Sequence, residues 1–318
     1  MVKIKMITLM LVALMGTTVS ADSKESLILG GRYLRQYEEK HDKRTDNFDQ
    51  YNTIERFFRP SSMPVLNDKI ESSLYDMYGS KALDLKIPSG LLKTPEDMII
   101  NYFSILREAA NPTDENETGC GSLGDTRGPY PVAYNFLSSS YKKNNSYKEY
   151  LKSFENKLHT NLIKLKEVPR DEKNLEDRKY FVELEIIEGT NENKGVFGYY
   201  YGYIYVTEED GVYKIKDMQY APENYLCAPY HGWNYDAESI VEIKYKEWCS
   251  LVDSDMQVKT DGYEKKVYFK DKNKNEYYVL FYQLTNGYDI KIADYKKNKD
   301  GKWEVIYLKP EKCLENKR

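Results

Sequence analysis

The sequence predicts an α+β protein made of two successive units, each combining helices with a sheet. Three observations predict this class. Apolar residues recur at helical spacing between residues 93 and 158, and they alternate with a period of two from 159 to 220. A helix pattern followed by strand-like runs then returns between 236 and 308. We expect helices packed on a curved antiparallel sheet, followed by a smaller helix-plus-meander unit.

Residues 1–21 have the pattern of a secretory signal peptide. Lys3 and Lys5 precede an apolar run that ends at Met15, and small residues then lead to Ala21. This run is about half of the ~20 residues that span a bilayer, so an uncleaved anchor is the weaker alternative. We therefore expect a secreted or extracytoplasmic protein at the cell surface, with no integral membrane segment after cleavage.

The composition is polar and close to charge balance. The 318 residues include 47 Lys and Arg against 51 Asp and Glu, which gives a formal net charge of -4. The mean hydropathy is -0.73. Binding to nucleic acid needs a concentrated basic face, so nucleic acid is not an expected partner. The 31 tyrosines, against 10 phenylalanines, draw attention to aromatic surfaces.

Residues 22–92 are polar, and Pro60, Pro64 and Pro88 interrupt their periodicity. We expect an N-terminal extension that packs on the first unit or is partly mobile. The first α+β unit is predicted to span residues 93–228.

Two local signals place the helices of the first unit. Residues 94–97 (Thr-Pro-Glu-Asp) form a helix start, with Thr as the N-cap and Pro at the first helical position. Residues 146–149 (Ser-Tyr-Lys-Glu) form a capping box, which opens a helix through Leu158. A short helix is predicted between them, over 131–137.

The strands of the first unit are predicted over 159–168, 180–187, 196–206 and 212–220. The third strand is the most informative, because its aromatic residues lie on one face. Gly198 and Gly202 lie on the opposite face, where they permit close approach of a helix. The aromatic face comprises Phe197, Tyr199, Tyr201, Tyr203 and Tyr205.

The second unit is predicted to span residues 234–318. Asp236 caps a helix over 237–252. Four strand-like runs follow, and Asn and Gly residues mark the turns between them. These strands are predicted over 266–269, 276–284, 288–293 and 303–308.

The four cysteines allow three disulfide connectivities. Each unit carries one cysteine after its first helix, Cys120 or Cys249, and one after its last strand, Cys227 or Cys313. Similar Asp-Gly hairpin turns in both units indicate a divergent duplication, so we predict the pairs Cys120–Cys227 and Cys249–Cys313. The chain has no C-x-x-C pair and only three histidines, so neither a metal nor a cofactor is expected.

Several segments of the first unit resemble the nuclear transport factor two-like (cystatin-like, α+β cone) domains of secreted Gram-positive envelope proteins. The resemblance covers about residues 93–221 and implies a curved sheet wrapped on a long helix around a cone-shaped cavity. Some members of that family are enzymes, and many extracytoplasmic members look like binding or assembly modules. The insert at 111–130 departs from the family pattern, and no catalytic motif matches. The segments are 94–97 with 100–103, 132–138 followed by 146–150, and 210–215.

Two groups of residues are candidates for ligand binding. Tyr199, Tyr201 and Tyr203 could stack against a sugar or peptide, or they could simply pack in the core. His231 and Trp233 lie between the two units. There His231 could serve as a general base, or the segment could be an aromatic plug held by a disulfide.

Three strand carboxylates are candidates for acid–base chemistry. Glu183, Glu185 and Asp217 could work as a pair if they faced one another in a cavity. Glu183 and Glu185 share a strand face with Phe181 and Ile187, which predicts that they are exposed. We therefore assign no catalytic residue.

The sequence favours a secreted, non-catalytic binding or assembly protein of the bacterial cell envelope. Its expected partner is a cell-surface protein or a wall glycan. One alternative is a secreted hydrolase that acts on wall polymers through carboxylates or His231 at an interdomain cleft. Another is a structural protein that assembles through residues 22–90.

Overall fold

The computed structural model describes residues 26–34, 59–61, 63–68, 72–78, 83–113, 126–170, 178–189, 194–223 and 232–315. It confirms the α+β class, with helices and two five-stranded sheets. The signal peptide, Cys120, Cys227 and His231 lie outside the described residues. Within the described ranges, no helix is long and apolar enough to cross a membrane.

The helices of the first unit begin where the capping signals predict. Thr94 accepts a hydrogen bond from the Asp97 amide at 3.1 Å, and Ser146 and Glu149 form the predicted capping box. The last helix is shorter than predicted, because Asn156 has a φ of 60° and a strand begins at the next residue. The helices are α1 (Pro95–Arg107), α2 (Pro129–Tyr134), α3 (Ser139–Asn144) and α4 (Tyr147–Lys152), with 3₁₀ turns at Ser72–Met77 and Ser89–Leu92.

The first sheet is mixed, with strand order β1-β5-β4-β3-β2. Its last four strands form the predicted antiparallel meander. The first strand was not predicted, and it adds parallel to β5, pairing Arg32 with Gln219. The N-terminal segment therefore completes the sheet. The strands are β1 (Arg32–Tyr33), β2 (Lys157–Glu167), β3 (Arg178–Gly189), β4 (Gly195–Glu209) and β5 (Val212–Pro222).

The second unit follows the predicted order, with one additional strand. Asp236 caps α5 (Ala237–Ile240), which continues as a π-helix over Val241–Trp248. The additional strand, β6, is exposed along its whole length, so its sequence lacks the alternation that marks the other strands. The remaining elements are β6 (Gln257–Asp261), β7 (Glu264–Lys270), β8 (Glu276–Gln283), β9 (Asp289–Lys297), β10 (Trp303–Ile306) and α6 (Pro310–Glu315).

The predicted Cys249–Cys313 disulfide is present, with a Cα–Cα distance of 5.1 Å. It ties the end of the π-helix to α6, which follows the last strand. A cross-link that closes a loop of this size stabilises the folded state by roughly 4 kcal/mol in the chain-entropy description.

The two units stack as four layers, helix, sheet, sheet and helix. Tyr180, Val182 and Leu184 of β3 face the core shared with α1–α4. Phe181 and Tyr201 face the other way and share a second core with Tyr282 of β8. The alternate residues of β8 pack against α5 and the π-helix. Both faces of the two central strands are therefore buried.

Glycine is required at position 202 because the neighbouring strand comes very close to it. The sequence predicted that a helix, and not a strand, would be this close neighbour. A Cβ at this position would lie 2.0 Å from the backbone oxygen of Gln219 and 2.7 Å from Cδ1 of Tyr220. The close approach thus occurs between β4 and β5, and it brings the ring of Tyr220 over the sheet.

Candidate functional site

Part of the tyrosine face of β4 lies against the second unit, where Tyr201 and Tyr203 share a core with Tyr282. Tyr199 and Tyr201 are only 5% and 3% exposed. Tyr203 is half-buried beside Phe181, with 6.0 Å between their ring centroids. These positions favour the packing alternative over an open stacking surface.

Glu183 was predicted to be exposed, and that prediction is wrong. The side chain is fully buried, because the second sheet covers this face of β3. Its Oε2 lies 2.6 Å from Lys164 Nζ, and its Oε1 accepts a hydrogen bond from the Thr285 amide at 2.8 Å. Lys164 also donates to the Gln283 carbonyl at 2.7 Å. The buried ion pair therefore joins the two units.

Glu185 was also predicted to be exposed, and it too is buried. The segment at Arg59 covers it and forms an ion pair with it. Tyr199 donates to Oε2 at 2.7 Å, and Asn161 donates to Oε1 at 3.2 Å. Burial acts to raise the pKa of Glu185, but hydrogen bonds from Arg59, Tyr199, Ser61 and Asn161 outweigh it and lower the pKa. Glu185 is thus held ionised as a structural anchor.

Asp217 and Trp233 lie apart from each other and from the buried glutamates. Asp217 forms an ion pair with Arg32, which fixes β1 to the sheet edge. Trp233 is 37% exposed and packs edge-on against Trp248, with ring centroids 6.3 Å apart. Neither residue borders the cleft described next.

A cleft of about 470 Å³ opens between the two units. One wall is formed by the residues after β2 and by β3 and β4 of the first sheet. The other wall is formed by β9, β10 and the segment that leads to α6. Such a volume suits a small organic ligand or a short stretch of polymer. The lining residues are Val168, Pro169, Arg170, Lys179, Tyr205, Lys291, Ile292, Ala293, Asp294, Val305, Ile306, Tyr307, Leu308 and Lys309.

Among the residues that the structure describes, the lining of the cleft carries four cationic side chains and one carboxylate. The carboxylate, Asp294, is fully engaged: Tyr245 donates to Oδ1, while Lys291 lies 2.8 Å and the Leu308 amide 3.3 Å from Oδ2. Arg170 is paired with Glu167 at 3.4 Å. An excess of positive charge in a cleft attracts anions.

Lys179 holds an unusual position in this cleft. Its Nζ lies 3.7 Å from the ring centroid of Tyr203 and 5.6 Å from that of Tyr205. In the part of the chain that the structure describes, no carboxylate lies within ion-pair distance of it. Burial lowers the pKa of Lys179, because the charged form is partly removed from water.

Lys179 and Lys309 were not among the residues predicted from the sequence. They lie in different units and meet only when the two sheets stack. A partial signal was present, since Lys179 precedes a strand whose alternation places it on the same face as Phe181. Nothing local marks Lys309.

Within the described ranges, no group of three or more His, Cys, Asp or Glu residues is arranged to hold a metal ion. Comparison of the chain with protein-family models, with curated proteins and with solved structures found no match. The resemblance to nuclear transport factor two-like domains thus stays a prediction.

Proposed function

We propose that this chain is an exported, non-catalytic binding protein of the bacterial cell envelope, with its ligand site in the cleft between the two units. The observation that carries the proposal is the cleft itself, which combines a suitable volume with apolar walls and an excess of cations. The predicted signal peptide and the Cys249–Cys313 disulfide support an address outside the cytoplasm.

The state of the carboxylates supports binding over hydrolysis. A general acid or base must be able to exchange a proton with a substrate. Asp294 in the cleft and Glu183, which is buried between the units, are each occupied by a lysine and a backbone amide. Both carboxylates are held in structural contacts, and the hydrolase alternative gains no support from them.

The proposal is tested by incubating the mature protein with isolated bacterial cell walls. We expect the protein to sediment with the walls and to release neither reducing sugar nor free amine. Sedimentation without release supports the proposal. Release of either product would overturn the non-catalytic assignment, and failure to sediment with any wall preparation would overturn the binding role.

Two aromatic variants locate the site. Tyr307 lines the cleft and is 67% exposed, so Tyr307→Ala should weaken wall binding by about tenfold without unfolding the protein. Trp233→Ala is the matched control, because Trp233 is an exposed aromatic outside the cleft lining. Loss of binding in the Trp233 variant alone would move the site away from the cleft.

A further inference from the structure

The described lining of the cleft is positively charged, whereas the whole chain has a negative net charge. The whole sequence has a formal net charge of -4, while the described lining of the cleft brings together Arg170, Lys179, Lys291 and Lys309 with one carboxylate, Asp294. Cations collected at one concave place on an acidic protein focus a positive potential there. The ligand that fits such a potential is an anion.

The four cations differ in their availability. Arg170 and Lys291 already contact carboxylates, Glu167 at 3.4 Å and Asp294 at 2.8 Å. Lys179 and Lys309 have no carboxylate within ion-pair distance among the residues that the structure describes. These two lysines are therefore the groups that a ligand can neutralise.

The surroundings of Lys179 favour the binding of an anion. Its ammonium group is half-buried and rests on the ring of Tyr203, which holds it by a cation–π contact. Removing a cation from water without a counter-ion is unfavourable. An anion that enters the cleft would compensate Lys179 for the hydration that its ammonium group has lost. The two walls each supply one available lysine, Lys179 from β3 and Lys309 after β10.

We propose that the ligand of the cleft is a chain bearing at least two phosphate groups, and that Lys179 and Lys309 each bind one of them. This proposal rests on the proposed function, because it names the class of ligand for the same site. Two lysines on opposite walls suit separated charges better than a single anion. Lysine binds phosphate as a point charge, and Arg170, whose guanidinium suits carboxylate and phosphate alike, is already engaged with Glu167.

The probe is inorganic polyphosphate of short chain length, with binding measured by titration calorimetry. We expect binding that weakens as salt is added. Lys179→Gln and Lys309→Gln should each weaken it by about tenfold. Lys309 is exposed, so its variant carries little risk of misfolding, and thermal unfolding checks both proteins.

Lys259→Gln is the matched control. Lys259 also lies over a tyrosine ring, 5.1 Å from the centroid of Tyr268, but it is on β6 and outside the cleft lining. Polyphosphate affinity should be unchanged in this variant. Equal losses in the Lys179 and Lys259 variants would show general attraction to a cationic surface and would overturn the proposal.

Two further arms separate this proposal from its alternatives. Lys179-dependent binding of polyglutamate in place of polyphosphate would assign the cleft to an acidic protein segment and overturn the phosphate class. Wall binding that survives both polyphosphate competition and Lys179→Gln would overturn this inference and leave the proposed function standing. Lys179-dependent polyphosphate binding without any wall binding would support this inference and contradict the envelope role.

Discussion

Two oppositely charged side chains, Lys164 and Glu183, are buried between the two sheets, 3% and 0% exposed. Removing one partner of a buried pair leaves the other charge without compensation. We expect Glu183→Gln to lower the free energy of unfolding by about 3–5 kcal/mol, measured by urea denaturation. The double variant Lys164→Met with Glu183→Leu should recover most of that loss, since no charge is then stranded.

An exposed pair provides the control for this experiment. Lys246 and Glu242 lie 2.6 Å apart on the π-helix, with side chains 49% and 38% exposed. Glu242→Gln should change the free energy of unfolding by less than about 0.5 kcal/mol. Equal effects of the Glu183 and Glu242 substitutions would contradict the role of the buried pair in joining the units.

His159 on β2 makes the stability depend on pH. Burial lowers its pKa, although the hydrogen bond to Asn161 opposes that effect. Between the lowered value and about 6.5, the unfolded chain binds more protons than the folded chain. The free energy of unfolding should therefore fall as the pH decreases through this window. Glu185 also has a lowered pKa, but it changes the free energy of unfolding only below about pH 4.3. The contributions of His159 and Glu185 can therefore be measured in separate pH ranges.

The measurement compares the free energy of unfolding of wild type and His159→Gln from about pH 7 to about pH 5. Glutamine does not titrate, so the variant should lose less stability on acidification. The ring resonances of His159 in the folded protein should titrate below the usual range. Titration at or above about pH 6.5 would contradict the assignment.

Among the elements, the N-terminal strand β1 depends on glycine. A Cβ on Gly31 would lie 2.7 Å from the backbone oxygen of Met218, so an alanine forces the strand away from β5. We expect Gly31→Ala to lower the free energy of unfolding by about 1–3 kcal/mol and to expose the N-terminal segment to proteases. In Gly90→Ala, where no atom lies within 4 Å of the added Cβ, stability should be unchanged. Equal protease sensitivity of the two variants would contradict this docking.

Strand β1 is also an example of an element that the sequence does not predict. Helix starts, hairpin turns and the Cys249–Cys313 pair are marked by local residue types, and the structure confirms them. A two-residue parallel strand has no local signature, and its partner lies far along the chain. Glu183 and Glu185 alternate with apolar residues as a solvent-facing row does, and only the stacking of a second sheet buries them.

For the whole molecule, the stacking of two sheets creates the candidate site. Each unit taken alone places its lysines on a strand or a loop, and the cleft exists only where the two sheets face each other. The tyrosines are numerous and regular along β4, so a sequence pattern marks them, whereas Lys179 and Lys309 have no comparable pattern. The tyrosines instead form much of the contact between the units.

The high tyrosine content makes the molecule sensitive to alkali. Burial raises the pKa values of Tyr102, Tyr150, Tyr203 and Tyr220 above the usual value. An unfolded tyrosine loses its proton near pH 10, while these residues keep theirs in the folded state. Above about pH 10 the unfolded chain therefore binds fewer protons, and the free energy of unfolding falls steeply as the pH rises. Burial also lowers the pKa values of Lys142, Lys179 and Lys214, which act in the opposite direction, but these are three groups against many tyrosines.

Urea denaturation at several values from about pH 8 to about pH 11 checks the fall in the free energy of unfolding. A separate pH titration, monitored by tyrosinate absorbance, reports when the tyrosines ionise. Tyrosinate should form in two stages, with exposed residues ionising first and the buried set ionising together with unfolding. Tyr220→Phe should make the loss of stability with pH less steep, because one of the groups that must stay protonated is gone. A single-stage titration near pH 10 with the fold intact would show that these rings are open to water, and would contradict the packed interior on which the four-layer architecture depends.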